Sequence, residues 1–198
     1  MSEKKYQEVE MKFKVRNSKE IEEILGNLGA EKLVDQEYQC DTYFVPSHRN
    51  FFEEDIISEW LRLRKTTTKE QINYKRWLPI GEKIQTHCEE YETDVTDGYA
   101  LRKILEYMDF REIINVEKKR SCWKYGDVLI CIDEVKELGT FIELEYGKQV
   151  EEERVEEVSK YMEDYTKWVC IWKIAIAVTI IKHSDFKFDL EKLHREAP

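Results

Sequence analysis

Along "QEVEMKFKVR" the side chains alternate in character: Val9, Met11, Phe13 and Val15 are apolar, and Glu8, Glu10, Lys12 and Lys14 between them are charged. Successive side chains of a β-strand point to opposite faces, so this stretch predicts a strand with one apolar and one densely charged face. The period of two recurs down the chain. "EWLRLRK" sets Arg62 and Arg64 against Leu61 and Leu63, "QINYKRW" aligns Asn73 with Lys75, and "CEEYETDV" aligns Glu90, Glu92 and Asp94. "VEKKRSC" offers Lys118 and Arg120, "LICIDEV" offers Asp133, and "TFIELEYG" sets Glu143 and Glu145 against Ile142, Leu144 and Tyr146. The alternation predicts strands over Tyr6–Val15, Leu33–Val45, Ile57–Thr66, Glu70–Trp77, Gln85–Val95, Glu112–Ser121, Cys122–Asp133 and Thr140–Gly147.

Helical spacing replaces it in three places. Ile21, Ile24, Leu25 and Leu28 predict a helix over Lys19–Leu28, with Ser18 as its N-cap and Gly29 past its end. Leu101, Ile104, Leu105 and Met108 share one face of a helix that begins after Thr96 or Asp97. The acidic run Glu151–Asp164, carrying Val155, Val158 and Met162, reads as a third, surface helix. "VPSHRNFFEED" is expected to be a loop between two strands.

At 198 residues and 41% hydrophobic content the chain can bury a core, and its length suggests one domain over 1–198. A net charge of -10 argues against nucleic acid as a partner, so an anionic ligand would need a local basic patch. Five Cys with no C-x-x-C pair fit reduced cytosolic thiols better than a disulfide framework, and four isolated His make a zinc site a poor fit. The opening "MSEKKYQEVE" has no apolar stretch of the secretory kind, which favours a cytoplasmic location. The most hydrophobic run, Trp168–Ile181, contains Lys173 and falls short of the roughly 20 residues that span a bilayer, so a buried element is expected there rather than a membrane anchor.

A sheet with one apolar and one polar face normally turns the polar face to water, where ion pairs are each worth about 0–1 kcal/mol. Recurrence in nearly every strand favours another arrangement. Eight strands closed into a barrel would place the charged face inside and leave the apolar face for the amphipathic helices to cover. The interior would then combine the acids Glu8, Glu10, Glu90, Glu92, Asp133, Glu143 and Glu145 with the bases Lys12, Arg62, Arg64, Lys75, Lys118 and Arg120. Carboxylates without His or Cys suit Mg²⁺ or Mn²⁺, and Arg forks and Lys ammonium groups suit phosphate oxygens. Acids for metal and bases for phosphate in one cavity suggest a polyphosphate site. Repulsion among the clustered cations further predicts that removing Arg64 or Arg120 raises the stability of the ligand-free protein.

Glu8-x-Glu10-x-Lys12 resembles the E-x-E-x-K signature of the CYTH superfamily, the triphosphate tunnel metalloenzymes, which include class IV adenylyl cyclases and thiamine triphosphatases. The Arg pair, Lys75, Glu90/Glu92, Lys118/Arg120, Asp133 and Glu143/Glu145 follow in family order over about residues 6–147. The resemblance implies an α+β chain: an eight-stranded antiparallel β-barrel, the triphosphate tunnel, with helices packed outside and a C-terminal helical and apolar segment over 148–198. It implies that Glu8, Glu10, Asp133, Glu143 and Glu145, with Glu90 and Glu92, hold the metal. Lys12, Arg62, Arg64, Lys75, Lys118 and Arg120 would hold the phosphates, with Glu8, Glu10, Lys12 and Lys75 as the catalytic group. After Gly147 the chain departs from the family pattern, which leaves oligomeric state open, a homodimer among the options.

Class IV cyclases carry a His-Phe pair shortly before the signature, where this chain has "SEKKYQ". A triphosphatase acting on tripolyphosphate, ATP or thiamine triphosphate is therefore the leading expectation. A class IV adenylyl cyclase is the alternative, and a non-catalytic polyphosphate or nucleotide binder the third.

Overall fold

The computed structural model describes residues 7–82 and 85–168. The strands form one antiparallel, barrel-like sheet of nine segments: β1 (Gln7–Glu8), β2 (Glu10–Val15), β3 (Glu31–Pro46), β4 (Glu59–Lys65), β5 (Glu70–Leu78), β6 (His87–Val95), β7 (Phe110–Tyr125), β8 (Val128–Val135) and β9 (Gly139–Tyr146). Their order in the sheet is β1-β6-β5-β4-β3-β7-β8-β9-β2. The two edges of the sheet are thus consecutive pieces of the N-terminal strand, interrupted at Val9. Glu8 lies opposite Cys88 of β6, and Glu10 lies opposite Glu145 of β9. One predicted strand therefore bridges both edges, and the ninth segment comes from that division.

Three helices cover the apolar outer face. Helix α1 (Ser18–Asn27) buries Ile21 and Leu25, and α3 (Val155–Trp168) brings Val158 and Met162. With Phe13, Ile130, Ile132, Ile142 and Leu144 these make one core cluster between the sheet and the two helices. Helix α2 (Gly98–Tyr107) sets Leu105 against Phe44 and Leu63 on another part of the wall. The Asp97 carboxylate accepts from Ala100 N at 2.9 Å, which caps α2 as its sequence predicts. For α1 the cap is Asn17, whose Oδ1 accepts from Lys19 N at 3.0 Å; Ser18 instead donates its hydroxyl to Glu134 Oε1 at 2.6 Å.

Two further expectations are corrected. The predicted break between Ser121 and Cys122 does not exist: β7 runs on to Tyr125, and the reversal occurs at Gly126, whose φ of 61° suits a residue without Cβ. Residues 116–125 carry no Gly, Pro, Asn or Asp, and the turn signal stands at Gly126-Asp127 instead. Cys122 and Cys131, opposite each other in the β7–β8 register, are joined as a disulfide, contrary to the expectation of reduced thiols throughout; Cys40 and Cys88 are free. Residues 169–181 of the apolar run lie outside the described residues. No helix among the described residues is long and apolar enough to cross a membrane.

Candidate functional site

The charged faces converge on a cavity of about 550 Å³ inside the sheet. Glu8, Glu10, Lys12, Arg62, Arg64, Lys75, Glu90, Glu92, Lys118, Arg120, Asp133, Glu143 and Glu145 all line it, so every residue singled out from the sequence for metal or phosphate reaches one space. Strand alternation does this work, since each side chain sits two residues from the next on its own strand. The Glu8-x-Glu10-x-Lys12 signature lies on the seam where the two sheet edges meet. Glu8 therefore belongs to the β6 side, and Glu10 and Lys12 to the β9 side.

One wall is acidic. The Lys75 ammonium sits among three carboxylates, 2.8 Å from Glu8 Oε2, 2.8 Å from Glu10 Oε2 and 3.7 Å from Glu90 Oε1. Burial opposes the Lys75 charge, yet the surrounding carboxylates, Glu10 first, hold its pKa well above the ordinary value. One ammonium does not balance the wall. Burial, together with the hydrogen bond shared with Glu90, pushes Glu8 up to about 9 against the pull of Lys75. Glu90 is itself held low: burial works the other way, but the Glu8 hydrogen bond, Lys75 and the amide of Asn73 outweigh it. Burial likewise pushes Glu145 up to about 7.

The opposite wall is basic and internally paired. Arg120 donates Nε to Asp133 Oδ1 at 2.6 Å and Nη2 to Asp133 Oδ2 at 2.6 Å, and Lys118 donates to the same Oδ2 at 2.8 Å. Arg64 grips Asp41 in the same bidentate way, Nε to Oδ1 and Nη2 to Oδ2, both 2.7 Å, and Arg62 Nη1 stands 3.5 Å from Asp41 Oδ2. Glu143 joins the walls, 2.9 Å from Lys12 Nζ and 3.2 Å from Arg120 Nη2. Burial and the neighbouring Arg120 charge bring the Lys118 ammonium down to about 7, despite Asp133. The geometry opposes the expectation that losing Arg64 or Arg120 stabilises the ligand-free protein, because each arginine grips a carboxylate that is 1% exposed, Asp41 or Asp133.

Sequence reading missed Asp41 and the depth of Asn73, both buried in the wall. Asp41 had a visible signal: a lone carboxylate in "QCDTYFVP", on the same strand face as Gln39 and Tyr43. Three tryptophans on the strands, Trp60, Trp77 and Trp123, divide between the two faces of the sheet. Trp123 packs in the outer core with Lys32 Nζ 5.0 Å from its ring centroid, whereas Trp60 and Trp77 line the cavity. One step along each strand from the charged residues the lumen becomes apolar, with Tyr43 after Asp41, Trp60 before Arg62, Trp77 after Lys75, Val116 before Lys118, Val135 after Asp133 and Phe141 before Glu143. Phe52, from the loop between β3 and β4, closes against this end, its ring centroid 5.1 Å from Trp60 and 6.4 Å from Tyr43.

The donor set is all oxygen, as Mg²⁺ or Mn²⁺ requires. Among the described residues no group of three or more His, Cys, Asp or Glu is drawn together as a ready metal site. The fit shows instead in the cation already held there: three carboxylates, Glu8, Glu10 and Glu90, surround the Lys75 ammonium, and burial raises Glu8 and a fourth acid, Glu145, above the ordinary carboxylate range.

A CYTH domain model matches residues 6–167. The chain belongs to the CYTH family. A Methanocaldococcus jannaschii protein provisionally named an adenylate cyclase is 35% identical over 138 residues, 70% of this chain and 75% of that protein. Among solved structures, the PH1819 protein of Pyrococcus horikoshii superposes with a TM-score of 0.72 at 25% identity, covering 93% of this chain and 99% of that one. A Hippeastrum protein, described as an adenylyl cyclase by name with a dominant triphosphatase activity, shares the fold at a TM-score of 0.52 and 16% identity, over 83% of this chain and 88% of its own. Membership of the CYTH family agrees with the barrel-like antiparallel sheet and implies a divalent metal and a triphosphate ligand.

Proposed function

We propose that this chain is a divalent-metal-dependent enzyme that hydrolyses a triphosphate, with inorganic tripolyphosphate or an organic triphosphate as substrate. The observation that carries the reading is the pairing of an under-neutralised acidic wall with a cationic wall across one buried cavity. Glu8, Glu10, Glu90, Glu143 and Glu145 would hold the metal, and Glu92 lines the same side. A bound divalent ion would supply Lewis acidity to phosphoryl oxygens and lower the pKa of a bound water. Lys12, Arg62 and Lys75 neutralise non-bridging oxygens, the positioning and charge stabilisation on which phosphoryl transfer depends. Arg64, Lys118 and Arg120 complete the cationic wall. Asp133, expected among the metal ligands, accepts from Arg120 and Lys118 and orients both.

A second reading, class IV adenylyl cyclase, is favoured by the aromatic end of the cavity. Tyr43, Trp60 and Trp77 there offer flat apolar surface, and 550 Å³ lies within the roughly 300–1,000 Å³ of pockets for drug-sized ligands, room for an organic group beside the phosphates. A cyclase must turn the ribose hydroxyl toward the α-phosphorus, which makes ATP a far better substrate than tripolyphosphate. Assay of the protein with Mg²⁺ or Mn²⁺ against tripolyphosphate, ATP and thiamine triphosphate, reading phosphate and cyclic AMP, separates the two. Phosphate release with little cyclic AMP is expected. Cyclic AMP formation with inert tripolyphosphate favours the second reading, and binding without turnover of any triphosphate overturns both in favour of a non-catalytic module.

A further inference from the structure

The two arginines of "WLRLR" are not equivalent. Both stand on the lumen face of β4, yet Arg64 has given its bidentate edge to Asp41 through two contacts of 2.7 Å, and Arg62 touches the same carboxylate only at 3.5 Å. Arg62 Nε is buried without a hydrogen-bond partner among the described residues. A buried N–H left without an acceptor is costly, and a phosphate oxygen is the acceptor a guanidinium fits best.

We propose that Asp41 is the positioning residue of the phosphate clamp, locking Arg64 against β3 and leaving Arg62 as the guanidinium whose free edge meets the substrate. The inference rests on the triphosphate reading of the cavity. It extends that reading to a residue outside the E-x-E-x-K signature and ranks the two arginines. The register places Asp41 directly opposite Arg64 in the β3–β4 pair and opposite Val116 in the β3–β7 pair, so backbone pairing on both sides fixes the carboxylate. Burial disfavours its charge, but Arg62 and Arg64, with Lys118 behind them, hold its pKa well below the ordinary range. Asp41 thus supplies the negative charge that lets Arg62, Arg64 and Lys118 share one desolvated wall before substrate arrives. A triphosphate brings further negative charge to the same cations. Asp41 accordingly opposes anion binding by its charge and favours turnover by its geometry.

That opposition gives a signature a purely structural residue lacks. With Asp41→Asn, unfolding of the ligand-free protein is expected at lower temperature, and saturating Mg²⁺-tripolyphosphate is expected to raise it by more than it raises wild type. Turnover is expected to fall about tenfold or more with KM within about threefold, because misplaced clamps cost rate more than binding. Arg64→Lys, which keeps the charge but not the fork, is expected to reproduce the turnover loss and reports the same contact if Asp41→Asn does not fold. Arg62→Lys is expected to weaken tripolyphosphate binding, measured by titration calorimetry, by more than Arg64→Lys does. Wild-type turnover and a wild-type ligand shift in Asp41→Asn, or in Arg64→Lys where the first variant is unfolded, would overturn the role of Asp41. Equal binding losses at Arg62 and Arg64 would overturn the ranking. Wild-type protein that takes up no tripolyphosphate with or without Mg²⁺ would overturn both this inference and the triphosphate reading, which separates that failure from failure of the clamp alone.

Discussion

The two walls of the cavity solve the problem of buried charge in opposite ways. On the basic wall each buried carboxylate is matched: Asp41 takes the Arg64 fork and Asp133 takes Arg120 and Lys118. On the acidic wall Glu8, Glu10 and Glu90 share one Lys75, and burial raises Glu145 to about 7 against the pull of the same ammonium. On the paired wall the buried carboxylates are satisfied without a ligand, and Arg62 Nε is the donor left over among the described residues. The crowded wall is complete only when more positive charge arrives. On the proposed function, the difference marks where a metal would be demanded and where a phosphate would compete with internal partners, a distinction that an inventory of acids and bases could not make.

The comparison breaks most severely at Arg64. Arg64→Ala strips Asp41 of both its short contacts in the interior and leaves it only Arg62 Nη1 at 3.5 Å, and stability is expected to fall by about 3 kcal/mol, read from the denaturant midpoint. A midpoint at or above that of wild type would restore the expectation drawn from charge repulsion alone. Next in size, Glu10→Gln on the acidic wall is expected to cost about a hundredfold or more in turnover while the denaturant midpoint stays near wild type, since the metal stabilises charge that develops in the reaction. Undiminished activity at limiting metal would remove Glu10 from the site.

Much of this was legible because strand alternation is a strict period: once the barrel-like closure is granted, thirteen cavity residues follow from their parity. What escaped has physical causes. Asp41 was hidden because its partners, Arg62 and Arg64, lie more than twenty residues away and only the β3–β4 register brings them together. The seam at Val9 was invisible because a continuous alternating run carries no mark of which neighbour each half pairs with. The Cys122–Cys131 bond depends on the true position of the Gly126 turn, and a break placed after Ser121 sets both cysteines on one extended strand, where they cannot face each other.

A gentler way to sharpen the contrast is pH, applied to metal-free protein. Asp41 and Asp133 have folded pKa values below their ordinary 3.8, so the stability they confer is present above that value and is lost as pH falls below it. Glu8 and Glu145 are raised, to about 9 and about 7 from 4.5, so their contribution is full below 4.5 and is lost as pH rises through 7 and then 9. Urea midpoints measured across this range are expected to fall at both ends, with the alkaline fall relieved by Mg²⁺; an alkaline limb insensitive to Mg²⁺ would detach the acidic wall from metal binding. The smallest effect is expected for Glu8→Gln, because burial and the hydrogen bond with Glu90 already favour the uncharged form of Glu8, and stability is expected to change by less than about 1 kcal/mol. A loss as large as that of Arg64→Ala would show that the acidic wall is as tightly paired as the basic one.

The central claim is that the two walls together hold a triphosphate and a divalent ion. Titration calorimetry of the wild-type protein with tripolyphosphate, with Mg²⁺ present and after its removal by chelation, tests it most directly. One molecule is expected to bind per chain, tighter with Mg²⁺, and Arg62→Ala is expected to weaken that binding. Absence of binding in both conditions, or binding that Mg²⁺ and Arg62→Ala leave unchanged, would contradict the account.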